Sequence, residues 1–408
     1  MGNIMKYTFL TSLLTSLFIL FFSPSFVMAD TQIHGVMCGD EIPAADQAVV
    51  DQFMKDNHGV KVTMEALSWE TCQDKVINAA ISGNPYSFAY VGSRTLIGLY
   101  ESDLILPVQL NEDQKQIYTK NVLQTVYFMG SYLGYPHAFS TKALFMNCRI
   151  LERAGLACEG PQTWDDLYAM AETVKNITGI AGIGLCGKDF DTTMLQFLSY
   201  LYSNGGQVID PDTNQITLNS PNTVETLAFY AKLAKVSQKG ALLWERSQLT
   251  ELFNDEQIAM YINGPWGRIQ HSEELNVKTV PIPAGPSGHS GTLMITHSFA
   301  IFNNTGHEDL AMKIAYKLSS GEAQYDFDTS WGLTPIMQYP QISQVAPYDD
   351  NYWDNFINST SWGGPEPLFT DYKAFQTVMN SMIQGAILGE GSAADLVAEA
   401  AEELEEYK

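Results

Sequence analysis

The histidines, cysteines and carboxylates are the groups in this sequence that could do covalent or metal chemistry, and their spacing supports little of it. His34, His58, His137, His271, His289, His297 and His307 never fall at metal-ligand spacing, and each is expected on the surface or in a loop. The chain has no GxSxG, no HExxH, no GxxxxGK[ST] and no GxGxxG with a following acid at the right distance. Asp189 and Asp191 could be pictured as a carboxylate pair, but spacing alone does not set two acids across a scissile bond. The five cysteines contain no CxxC, which argues against a zinc site. Cys148 and Cys158 flank the helix-like run RILERAGLA and can close a local bridge. Cys38 and Cys72 can pair if the first strand and the second helix are neighbours, which leaves Cys186 over and buried. Nothing calls for a cofactor or a bound metal.

The aromatic residues point to a different chemistry. Tryptophans stand at 69, 164, 244, 266, 331, 353 and 362, beside 20 Tyr and 20 Phe. Flat aromatic faces stack on the apolar C–H faces of sugar rings, while carboxylates, amides and Arg take the hydroxyls. Any single aromatic is more often core than contact, so position decides. Trp266 stands just past the short strand IAMYI, at the sharp turn Gly264-Pro265. Ligands of open α/β sheets bind beyond such strand ends. Asp40 follows the first strand after a glycine, and Tyr90 and Arg94 stand at the end of another strand. Trp164, in the first turn of a helix, reads as packing.

The elements that must hold these residues are legible. Residues 33–38 read as a strand, 44–57 as a helix with Val49, Val50, Phe53 and Met54 inward, and 60–67 as an alternating strand. A helix over 71–82 and the strand SFAYVG complete a βαβ series with a mostly parallel sheet, and Trp69 lies just before that helix. Farther on, Thr163 with Asp166 forms a capping box. Ser220-Pro221 joins a hydroxyl cap to a proline at the first helical position. Residues 308–318 form an amphipathic helix, and Ser392 with Asp395 caps the last one.

At 408 residues the chain is long enough for two domains. Its formal net charge of −24 repels nucleic acid and anionic lipid. Lys6 is the only charged residue before Asp30, the run from Phe9 to Phe22 is apolar apart from small hydroxyls, and Val27-Met28-Ala29 supplies a cleavage pattern. A secretory signal peptide over 1–29 is therefore expected, because the apolar run is shorter than the ~20 residues that span a bilayer. A periplasmic location fits best.

With these residues in place, the sequence resembles the sugar-type extracellular solute-binding proteins of ABC importers, the family that includes the maltose-binding protein. The most specific stretch is FNDEQIAMYINGPWG, and residues 133–156, PQTWDDL, 201–210, 308–324 and GLTP at 332–335 follow in family order. The resemblance implies an α/β periplasmic-binding-protein fold, two α/β lobes with a hinge and an interlobe ligand cleft. It places the first lobe at 30–139 and 297–334 and the second at 140–296 and 335–408, with crossings near 139–142, 295–298 and 333–337. It further implies a non-catalytic monomer that captures a mono-, di- or short oligosaccharide for a membrane permease and its ATPase complex.

By the same resemblance Trp266 matches a ring-stacking tryptophan, Asp40 an acid that bonds sugar hydroxyls, and Tyr90 an aromatic at the same strand end. Ser93 and Ser140 stand where the maltose-binding protein has acids, and Glu41 where it has a lysine. These departures argue against an identical pocket. Trp331, Trp362 and Glu366 are further candidates for the cleft wall, with Trp69 and Arg94. Two other readings stay open: a binder of glycerol-3-phosphate or another polar solute with the same fold, and a secreted glycoside hydrolase.

Overall fold

The computed structural model describes residues 1–2, 30–39, 41–128, 130–210, 213–338 and 352–407. The expected signal peptide and Asp40 lie outside the described residues.

Strands Thr31–Cys38, Val60–Leu67 and Phe88–Gly92 pair in parallel, linked by helices Ala44–Asp56 and Trp69–Ile81. This is the βαβ series that alternating apolar runs and helical spacing produce. The second helix begins at Trp69, so that tryptophan is its first residue rather than a residue of the preceding loop. The long strand Leu293–Phe302 returns against Phe88–Gly92 in the antiparallel sense. It also pairs antiparallel with Tyr135–Ser140 and Ile105–Leu106, and parallel with the two-residue strand Gly364–Pro365. The seven-stranded sheet is thus mixed, where the sequence suggested mostly parallel pairing. The difference arises because a late segment supplies the central strand, and sequence order does not reveal its direction.

A second, antiparallel sheet of three strands sets Ala143–Asn147 between Val277–Val280 and Met260–Asn263. Each sheet has its own core. Ile33, Val36, Val76, Phe88, Phe299, Ile301 and Ile314 are fully buried around the first. Leu144, Met146, Leu167, Phe197, Leu227, Met379 and Val397 are fully buried around the second.

Helices pack where their caps and spacing direct them. Thr163 and Asp166 form the reciprocal box of Trp164–Thr178, Ser220 caps Pro221–Leu233, and Ser392 caps Ala393–Leu404. Trp164 is buried and stacks on Phe229 at 4.4 Å.

Two strands run side by side from one core to the other. Ser140 pairs with Ile295, and the Lys142 backbone is clamped on both sides by the Thr292 hydroxyl, at 2.8 and 2.9 Å. Ser140 ends a strand of the first sheet and Ala143 begins one of the second, so the chain passes between cores over two residues. Later, Leu333 and Ile336 pack with the first core and the Gln338 amide donates to the Ile117 carbonyl. Phe356 and Phe369 belong to the other side.

The disulfides Cys38–Cys72 and Cys148–Cys158 are closed, and Cys186 is a buried free thiol. The first ties the end of the first strand to the opening turn of the helix that carries Trp69. Among the described residues no helix is long and apolar enough to cross a membrane.

Candidate functional site

The first lobe contributes an aromatic wall at its strand ends. Tyr90 lies on Phe88–Gly92 and His297 opposite Gly92 on Leu293–Phe302. Their rings stack at 5.2 Å with planes 15° apart. Trp69 meets His297 edge-on at 4.9 Å and Tyr90 at 6.2 Å, and is the outermost of the three at 38% exposure. Burial raises the Tyr90 phenol well above its ordinary range, so it stays protonated. Burial, with the Arg94 and Lys142 cations adding to it, lowers the His297 imidazole well below the usual histidine range.

Trp266 stands on the second lobe and packs toward the first lobe's core. The strand Met260–Asn263 ends one residue before Gly264-Pro265, and the chain turns so tightly that a side chain at Gly264 would run into the Trp266 ring. Trp266 is half-buried and packs against the first lobe's core. Gly332, at φ +61°, lies so close that an added Cβ would sit 3.3 Å from the Trp266 Cα. The Trp266 indole N–H is buried with no partner among the described residues. Lys142 Nζ stands 4.2 Å from the Trp266 ring centroid, and the Arg246 guanidinium 5.4 Å from it. Burial, reinforced by Arg246, lowers the Lys142 ammonium to about 7.

Arg94 spans the two lobes. It donates through Nη1 to Glu366 Oε1 and through Nη2 to Asp191 Oδ2, each at 3.1 Å, and lies over the Tyr372 ring at 5.0 Å. The three side chains are 6, 4 and 12% exposed, in the order Arg94, Glu366, Asp191. Arg94 follows a first-sheet strand. Asp191 opens the second-lobe helix Asp191–Ser203. Glu366 follows Pro365, whose carbonyl accepts from Tyr202 of that helix. Burial raises Glu366 to about 7, and the Arg94 charge offsets only part of that.

The other expected residues fall as follows. Ser93 is buried and bonds Ser298 Oγ at 2.7 Å, so its hydroxyl is committed within the first lobe. Ser140 is buried and accepts from Lys142 Nζ at 3.4 Å. Trp331 stacks on Phe327 at 5.5 Å, and a side chain at Gly39 would meet its ring at 3.1 Å, so it flanks the end of the first strand. Trp362 is 43% exposed and shares no ring contact with the other cleft aromatics among the described residues. A separate hollow of about 860 Å³ lies on the second lobe, bordered by Phe145, Arg268, His271, Lys278 and Tyr352. It contains neither Trp266 nor any residue of the aromatic wall.

The surface-or-loop expectation for histidine is overturned at two positions. His137 is fully buried in the strand Tyr135–Ser140, bonded to Gln324 at 2.9 Å and Asp46 at 3.3 Å and stacked on Phe327 at 3.9 Å. His297 sits in the central strand of the sheet. Burial is affordable for His137 because both ring nitrogens find partners. Sequence reasoning also missed Lys142 and Arg246 as cleft residues, and it weighed Asp191 only as one of a carboxylate pair with Asp189. The available signal was a single ionisable residue among apolar and small hydroxyl residues: His297 in LMITHSFAIF, Lys142 in AFSTKALFM.

Comparison with known proteins gives a consistent result. The sequence pattern of the bacterial extracellular solute-binding proteins matches residues 39–325. A Brucella abortus (strain 2308) chain named only as a binding protein is 26% identical over 298 residues, 71% of this chain and 72% of that one. An arabinooligosaccharide-binding protein of Halalkalibacterium halodurans is 26% identical over 238 residues, 56% of this chain and 52% of that one. A solved solute-binding protein of an ABC transporter from Thermotoga lettingae, bound with α-D-tagatose, superposes with a TM-score of 0.81 at 21% identity, over 92% of this chain and 99% of that one. That likeness shows the fold: two α/β lobes of the periplasmic-binding-protein type with a cleft between them.

Proposed function

We propose that this chain, which belongs to the bacterial extracellular solute-binding protein family, captures a mono-, di- or short oligosaccharide between its lobes and delivers it to a membrane ABC permease and its ATPases. The observation that carries this reading is the pair of aromatic surfaces at opposed strand ends, Trp69, Tyr90 and His297 on one lobe and Trp266 on the other. Such planes take the apolar faces of a sugar ring, and the acids and cations around them take its hydroxyls. The arabinooligosaccharide and tagatose binders among the similar proteins support the choice of ligand class.

Trp266, Tyr90, Trp69, Arg94 and Glu366 form the binding set in this reading, with Ser140 and Trp331 at its margin and Asp40 retained as the acid expected to bond a sugar hydroxyl. Ser93 and Trp362 contribute less, the first because Ser298 holds it and the second because it stands apart. The lobes divide at 140–143 and 293–297, while the third crossing expected near 333–337 is not made by Leu333 or Ile336, which stay with the first core. The clamped strands at Lys142 and Thr292 act as the hinge. Closure brings Arg94 onto Asp191 and Glu366, so binding draws the closed state out of an open ensemble. The chain is exported through its N-terminal segment, acts as a monomer in the periplasm and returns its ligand unchanged.

A second reading rests on Lys142 and Arg246, the two cations beside Trp266, which would suit a phosphate-bearing solute. Thermal shift across mono-, di- and trisaccharides, polyols and phosphate esters separates the two, since a ligand of the native state raises the melting temperature. A rise with neutral sugars is expected. A rise with phosphate esters alone would replace the sugar reading. Chromatography of the recovered ligand is expected to return it intact, and a cleaved glycoside would make the chain a hydrolase.

A further inference from the structure

We propose that His297 determines ligand specificity: Nε2 of its imidazole exchanges a hydrogen bond with a hydroxyl of the sugar held against the Trp69–Tyr90 wall. This inference rests on the sugar-binding reading above. Three observations lead to it.

His297 is a polar side chain in the central strand of a sheet whose neighbours there are Ile295, Phe299 and Ile301. Those neighbours on the same face are apolar, and His297 is the ionisable side chain among them. Its ring is built into the aromatic wall, stacked on Tyr90 and capped by the edge of Trp69, and Trp69 is the member that reaches solvent. Its Nε2 is buried with no hydrogen-bond partner among the described residues. A buried polar atom left unpaired is costly, and such atoms mark places where a group outside the protein completes the bonding. His137, on the adjacent strand, provides the contrast. Its two nitrogens are both satisfied, by Gln324 and Asp46, and it serves as structure.

The neutral state of the ring fits a hydroxyl. Burial, with the Arg94 and Lys142 cations adding to it, favours the neutral imidazole. A neutral imidazole offers one donor and one acceptor nitrogen, the same pairing a hydroxyl can match either way. A site that hydrogen-bonds a substrate hydroxyl rejects the analogue lacking it far more strongly than an apolar wall can. His297 would therefore separate sugars by the hydroxyl at one ring position.

The test is isothermal titration of the full chain and two variants with maltose, arabinobiose and D-tagatose, followed by monodeoxy analogues of whichever sugar binds. His297→Phe keeps the stacked ring and removes the nitrogens. His297→Gln restores an amide without the ring and remains available if the Phe variant does not fold. His297→Phe is expected to weaken the bound sugar by 10-fold or more, and His297→Gln to recover part of that loss. One monodeoxy analogue is expected to bind the wild-type chain as weakly as the parent sugar binds His297→Phe, with no further loss when the two changes are combined. A structural role would instead weaken all analogues alike. Wild-type affinity in His297→Phe overturns this inference while leaving sugar binding intact. Failure of the wild-type chain to bind any of the three sugars overturns both.

Discussion

Replacing Arg94 by methionine should open the molecule without unfolding either lobe. Arg94 sits on the first lobe, and its two carboxylate partners, Asp191 and Glu366, are held on the other side of the cleft. All three side chains are at most 12% exposed, so the substitution leaves two buried acids without a counter-charge. Breaking a buried ion pair by removing one partner costs ~3–5 kcal/mol. The cost falls on the closed arrangement, because in an open cleft water solvates both acids. At ~1.4 kcal/mol per factor of ten, the lower figure shifts the closed-to-open ratio by about 100-fold. Small-angle X-ray scattering should then give a larger radius of gyration for the ligand-free variant than for the wild-type chain, and titration calorimetry a sugar affinity lower by 10- to 100-fold. A second change, Glu366→Gln, removes one of the stranded charges and should recover part of the affinity. Scattering curves that superimpose for both proteins, together with a lower melting temperature, would refute the reasoning. That result would assign the triad to the fold of one lobe and not to closure.

Trp266→Ala should weaken sugar binding by 10-fold or more with the fold retained, read by calorimetry and circular dichroism, since the ring lies on the surface of its own lobe and faces the other. Lys142 titrates near 7 in the folded chain and near 10.5 when unfolded, so the unfolded state holds the extra proton between those values. Stability of the wild-type chain relative to Lys142→Met should therefore rise between pH 7 and 9, by about 1.4 kcal/mol per pH unit at most, as urea unfolding will measure. Replacing Cys38 and Cys72 by serine opens a loop with a sequence separation of 34. The chain-entropy relation gives about 4 kcal/mol of lost stability. Sugar affinity should fall as well, because this bridge holds the helix that begins at Trp69.

Much of the local structure was legible because its causes are local. Thr163 with Asp166, Ser220 with Pro221, and Ser392 with Asp395 satisfy helix-end amides within three residues, so the sequence announces them. The helix Glu308–Leu318 follows from apolar spacing, and Ala311, Ile314, Ala315 and Leu318 are indeed its buried face. Trp266 was legible as a strand-end residue because Gly264-Pro265 marks the turn in the chain itself. His297, Lys142 and Arg246 were not, because each depends on partners more than 20 residues away for part of its environment, and periodicity carries no trace of those. Helix Trp69–Ile81 began two residues before its expected start, which moved Trp69 from a loop to a helix end.

Taken alone, the order of residues determined which segments are helix or strand, which faces are apolar and where the chain must turn, since neighbours within a few residues set those preferences. Only the assembled tertiary structure decided that Leu293–Phe302 runs antiparallel through the centre of the first sheet. Assembly likewise committed Arg94 to two acids from distant segments, and left the His297 ring beside Tyr90 with a nitrogen unpaired. The physical reason is that desolvation and ion pairing act across space, through groups 97 and 272 residues from Arg94 along the chain. Their energies exist only once burial has excluded water.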